Sequence, residues 1–114
     1  VRVANDTIIP NGTPDLGSDW TSESLPLEHI AMFSIQLEFD GTPNGAWTLE
    51  CSNDDDNKEP TNWTLIEGSE QSITEAGDHT WNVEDSAFNW VRVRWTYSAG
   101  SGTLNSARFN AKGV

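Results

Sequence analysis

The most regular feature of the chain is a two-residue alternation of apolar and polar side chains. Phe33, Ile35, Leu37 and Phe39 alternate with Ser34, Gln36 and Glu38, which gives an extended segment one apolar and one polar face, as on a half-buried strand. The turn-rich run Asp40-Gly41-Thr42-Pro43-Asn44-Gly45 predicts a reversal, after which Trp47, Leu49 and Cys51 continue the alternation against Thr48, Glu50 and Ser52. Together these segments read as a hairpin. Beyond a polar loop from Asn53 to Asn62, Trp63-Thr64-Leu65-Ile66 predicts a third strand and completes a meander. The less regular His79-Thr80-Trp81-Asn82-Val83 places Trp81 and Val83 on one face. Next, Val91, Val93, Trp95 and Tyr97 point one way while Trp90, Arg92, Arg94 and Thr96 point the other. Ala99-Gly100-Ser101-Gly102 predicts a tight turn into Thr103 to Lys112, where Ala107, Phe109 and Ala111 oppose Arg108, Asn110 and Lys112 as the return strand of a second hairpin. No window of about eleven residues or more keeps helical spacing. The expected fold class is all-β, a single antiparallel β-sandwich of jelly-roll type.

Residues 1 to about 28 break the pattern. Pro10, Gly12, Pro14, Gly17 and Pro26 stand among Asn, Asp, Ser and Thr, a composition that opposes helix and continuous sheet alike. The segment predicts an extended N-terminal arm ahead of a sandwich domain spanning 29 to 114. Its small apolar groups, including Ile8, Ile9, Leu16 and Trp20, need a body to lie on. Twenty extended residues reach roughly 65 Å, so exchange between subunits is within range.

Length and charge narrow the functional classes. The 114 residues make one domain, large enough to bury a core without disulfides or structural metal. Six Lys+Arg against 18 Asp+Glu give a formal charge of −12, which repels phosphate backbones and anionic headgroups, so neither nucleic acid nor membrane is an expected partner. The single Cys51 forms no internal disulfide and, on an inward strand position, reads as a small inert core residue. With only His29 and His79 beside it, the usual zinc sets cannot be assembled. No leader pattern opens the chain.

Phe33-Ser34-Ile35-Gln36-Leu37-Glu38-Phe39, then Gly41-Thr42-Pro43-Asn44-Gly45, then Leu49-Glu50-Cys51-Ser52-Asn53-Asp54 and Asn62-Trp63 resemble a recurring pattern in small virion structural proteins of tailed bacteriophages. The ending, Gly100-Ser101-Gly102-Thr103-Leu104-Asn105 and Ala107-Arg108-Phe109-Asn110-Ala111-Lys112-Gly113, is similar to their C-terminal hairpin. The resemblance implies a discoidin or galactose-binding-like β-sandwich in which a Ser-Asn-Asp turn connects two strands and a Trp opens the next. The Asp54-Asp55-Asp56 run and the long insertion before Trp63 depart from that pattern.

Several groups invite a functional reading. Asn53 to Glu59 gathers oxygen ligands, with Asp54, Asp56 and Glu59 as candidates for Ca²⁺, the one cofactor considered. Lys58 and the missing Gly break the EF-hand order, and a solvated acidic hairpin tip is the competing reading. Among six tryptophans, Trp47, Trp63, Trp81 and Trp95 are expected in the core, while Trp90, beside Arg92 and Arg94, is expected as an exposed contact for a partner or a sugar. Arg92, Arg94, Arg108 and Lys112 are expected to share a face, either neutralised internally or kept for an acidic partner. No nucleophile with its base, phosphate loop or Gly-x-Ser-x-Gly elbow is present.

The expectation is therefore a non-enzymatic virion protein that decorates or cements the capsid. It would bind the major capsid protein or other virion proteins, as a homo-oligomer on the particle, through Ile8, Ile9, Leu16, Trp20, Trp90, Arg92, Arg94 and Arg108. The alternative is a carbohydrate-binding module or receptor-binding tip that recognises a host glycan.

Overall fold

The computed structural model describes residues 2–7, 14–27, 30–55, 58–84 and 88–113. Its strands are β1 (Arg2–Thr7), β2 (Trp20–Thr21), β3 (Leu25–Pro26), β4 (Ile30–Ser52), β5 (Thr64–Leu65), β6 (Gln71–Ile73), β7 (Gly77–Val83) and β8 (Trp90–Gly113). All pairings are antiparallel, and no helix occurs among the described residues. The all-β expectation holds.

Connectivity differs from the two predicted hairpins. β4 and β8 are each continuous, with 23 and 24 residues, and pair with one another from Ile30↔Gly113 to Ser52↔Trp90. Twenty-three extended residues would measure about 75 Å, whereas the longest dimension of the molecule is 39 Å. The ribbon must therefore fold over itself, and ring contacts show where. Phe39 and Trp47, eight positions apart on β4 and so separated by ~26 Å if straight, have ring centroids 5.8 Å apart. The two turn-rich runs do bend the chain, but they lie opposite each other in the ladder, Gly41↔Gly102 and Pro43↔Gly100. Matched in this way they fold a two-stranded ribbon and reverse neither strand. Register shifts at Glu38/Phe39 and Asn44/Gly45 flank the bend, where the extra residue lets a pleated strand turn a corner. Gly41 and Gly100 have φ of 88° and 76°, and a Cβ on Gly100 would sit 2.1 Å from the Thr42 carbonyl oxygen.

Folding brings the apolar sides of the two halves together as a sandwich. Phe33, Ile35, Leu37, Phe39, Leu104, Ala107, Phe109 and Ala111 come from the first half, and Trp47, Leu49, Val91, Val93 and Trp95 from the second; all are buried. Trp47 lies at the centre, 4.8 Å from Trp95 and 6.2 Å from Trp20 between ring centroids. Short strands flank the ribbon on both sides. β7 pairs with Phe33–Phe39, and β6 and β5 pair with the later part of β4.

The free side of β8 is taken up by the N-terminal segment. β1 pairs with Arg108 to Lys112, Asp15 bridges Thr103, β2 pairs with Trp95 and Arg94, and β3 pairs with Val91 and Trp90. Leu16 is fully buried, its N–H donates to Gly102 O at 2.8 Å, and its carbonyl accepts from Trp95 Nε1 at 3.0 Å. Trp20 packs edge-on to Trp47. These two residues, expected to seek a partner protein, are satisfied within their own chain. Ile8 and Ile9 lie outside the described residues.

Candidate functional site

Because both halves turn their apolar sides inward, their polar sides point away from each other and form two separate outer faces. On the second half, cross-strand pairing sets Glu50 between Leu65 and Arg92, and Thr48 opposite Arg94. Glu50 is 8% exposed. Its carboxylate accepts from Arg92 Nε at 2.7 Å and from Arg94 Nη1 at 3.4 Å. The Arg92 guanidinium lies 4.2 Å over the Trp63 ring, so one cation is held by a carboxylate and an aromatic face together. Arg94 remains 45% exposed and Leu65 49%. Of the two readings of the Arg92 and Arg94 cations, internal neutralisation is the one Glu50 supplies.

The outer face of the first half carries a row of neutral polar groups with charged positions beyond it. Ser34 pairs with Asn82 on β7 and with Asn110 on β8, which places three amide or hydroxyl side chains in one row across the sheet. Thr80, Gln36 and Arg108 form the next row. A groove of about 260 Å³ runs beside Met32, Phe33, Ser34, Asn82 and Asn110. On the inner side of β7, His79 stands opposite buried Leu37 with its ring 4.8 Å from Trp81. Its Nε2 is buried without a partner among the described residues, and burial pulls its pKa below the ordinary imidazole value, with Asp78 opposing that shift.

The loop after β4 is a hydrogen-bonded knot. Asp54 N–H donates to Ser52 Oγ at 3.1 Å, and the Asp54 carboxylate accepts from the backbone N–H of Asn62 at 2.9 Å and of Thr61 at 2.8 Å. Those bonds hold its pKa below the usual carboxylate range, the Asn62 amide first. Asn89 Nδ2 donates to the carbonyls of Asn53 and Asp54. A cleft of about 410 Å³ lies between this knot and Cys51, Thr64 and Phe88. Burial pushes the Cys51 thiol up, a hydrogen bond to its own backbone opposes the shift, and neighbouring Glu50 adds to it, so little nucleophilic thiolate forms.

For the Ca²⁺ candidates, Asp54 organises the loop, Glu59 accepts from Ser24 Oγ at 2.6 Å, and Asp56 lies outside the described residues. No group of three or more His, Cys, Asp or Glu side chains is placed to hold a metal among the described residues.

Three expectations about where tryptophans and cations lie are corrected. Trp90 is buried at 9% exposure, because β3 pairs along its strand and sets Pro26 opposite it; alternation alone could not reveal that covering strand. Trp63, expected in the core, is half-exposed on the outer face against Arg92. Arg108 does not join Arg92 and Arg94, because the bend in β8 carries it to the opposite face. Sequence reading also missed Glu50 and the Asn82–Ser34–Asn110 row. Both follow from the β4–β8 and β4–β7 registers, which a hairpin reading conceals.

No family model and no curated protein sequence matches the chain. Among solved structures it is similar to the SPBc2 prophage-derived protein YomS, with a TM-score of 0.58 at 14% identity over 96% of this chain and 92% of that one. It is also similar to chitosan-binding module 1 of a chitosanase/glucanase from Paenibacillus sp. IK-5, with a TM-score of 0.50 at 20% identity over 83% and 76%. A selenomethionine-labelled point mutant of that module matches with a TM-score of 0.51 at 17% identity over 84% and 77%. At such identities the likeness shows the fold.

Proposed function

We propose that the chain is a non-enzymatic structural component of a bacteriophage particle, a decoration or cement protein that attaches to the assembled capsid by protein–protein contact. The observation that carries this reading is the likeness to a prophage-derived protein over 96% of this chain and 92% of that one, which takes in the N-terminal segment as well as the ribbon. The docking surface in this reading is the outer face of the second half. Trp and Arg dominate the energetics of protein interfaces, and here Trp63, Arg92 and Arg94 stand together with exposed Leu65. Glu50 holds Arg92 at 2.7 Å but reaches the 45% exposed Arg94 only at 3.4 Å, so one carboxylate against two cations leaves positive charge here that favours an acidic patch on the partner. Repetition over a symmetric shell turns individually weak contacts into firm attachment.

The test is to localise the chain on purified particles by mass spectrometry and gold labelling. Regular labelling of the capsid supports the reading. Absence from purified particles rejects it, and labelling confined to the tail rejects decoration. Trp63→Ala combined with Arg94→Glu should weaken attachment at least roughly tenfold. A second reading, glycan recognition, draws on the fold shared with chitosan-binding modules. In its pure form it expects saturable sugar binding by a chain absent from particles.

A further inference from the structure

The outer face of the first half holds polar groups that the protein itself leaves unused. Asn82, Ser34 and Asn110 occupy consecutive strands at one register position, so the row spans two strand spacings, about 10 Å. Among the described residues, none of these three side chains has a hydrogen-bond partner. Among the described residues, no donor faces Asn110 Oδ1, which is shielded from solvent, a costly state for an amide oxygen. Met32, 39% exposed, and the Phe33 position also line the groove, and its described lining residues are uncharged, with Arg108 in the next row of the same face.

We infer that this groove is a binding site for a neutral oligosaccharide. Asn and Ser side chains both donate and accept, as sugar hydroxyl and acetamido groups require, and Met32 offers an apolar surface for the C–H face of a ring. The row matches the length of a disaccharide. Turning the Asn110 amide toward a bound hydroxyl gives its oxygen the donor it lacks in the free protein. The described lining residues carry no charge that would pair with an ionic ligand. A peptide fits less well. The β4 backbone at Ser34 is already paired on both sides, by β7 and β8, so an added strand finds no ladder there. The site is separate from the Trp63 and Arg92 face and holds whether or not the chain rides on a particle.

Isothermal titration of the whole chain with N-acetylchitohexaose, cellohexaose and maltohexaose tests it. Saturable binding of at least one sugar, little changed between low and high salt, is expected. Asn82→Ala, a change at an exposed position, and Asn110→Ala should each weaken it roughly three- to tenfold. Trp63→Ala should leave it unaltered. No saturable binding of any of the three sugars at millimolar concentration overturns the inference. So does binding that Asn82→Ala leaves intact, or capture of a display-library peptide that no sugar displaces.

Discussion

On the second half of the ribbon, Glu50 engages Arg92 and Arg94 while Trp63 lies under the Arg92 guanidinium; on the first half, Asn82, Ser34 and Asn110 stand in a row without side-chain partners among the described residues. Both faces arise from the same alternation on the same two strands. They differ in where their polar groups find partners. A face that closes its hydrogen bonds internally contributes to folding and presents a preformed surface to a large partner. A face that leaves them to solvent adds little to stability and leaves them available to a ligand.

The bend separates the two faces, so breaking it should remove the contrast altogether. Gly100→Ala puts a Cβ against the Thr42 carbonyl at a φ of 76°, and a loss of about 3 kcal/mol is expected in urea unfolding. Glu50→Ala tests the closed face. Because the Arg92 and Arg94 side chains are 25% and 45% exposed, water replaces part of what is lost, and about 1–2 kcal/mol is expected where a fully buried pair would lose more. Trp63→Ala should cost about 1 kcal/mol through its cation–π contact and half-buried ring.

Acid sharpens the comparison from the inner side of β7. His79 has a folded pKa below its unfolded one, so proton uptake favours the unfolded chain. Stability should be unaffected above the ordinary imidazole value and fall as pH drops below about 6.5. His79→Gln should flatten that slope, as measured by unfolding at a series of pH values. Asn82→Ala, on the open face, should change stability by less than about 0.5 kcal/mol.

The alternation from Phe33 to Phe39 and from Val91 to Trp95 made the strands and most of the core legible in the sequence. Their partners were not. Asp40 to Gly45 and Ala99 to Gly102 carry the composition of hairpin turns, and nothing local distinguishes a chain that reverses from a ribbon whose strands bend together. That ambiguity displaced the inferences that depended on pairing across the two turns, while the expected pairing of β5 with the end of β4 held. It put Arg108 beside Arg94, left Leu16 and Trp20 without a place in the core, and hid the pairing of Glu50 with Arg92. The covering of Trp90 by β3 was equally hidden, since Leu25–Pro26 looks like part of a loop.

The contrast between a closed and an open face is tested most directly by nuclear magnetic resonance titration of the isotopically labelled chain with N-acetylchitohexaose and cellohexaose. The side-chain amide signals of Asn82 and Asn110 should shift together and saturate, while the Trp63 indole and Arg92 Nε–H signals stay in place. Saturable shifts centred on Trp63 and Arg92, shifts confined to the Asn53 and Asn62 loop, or no shift at all would contradict it.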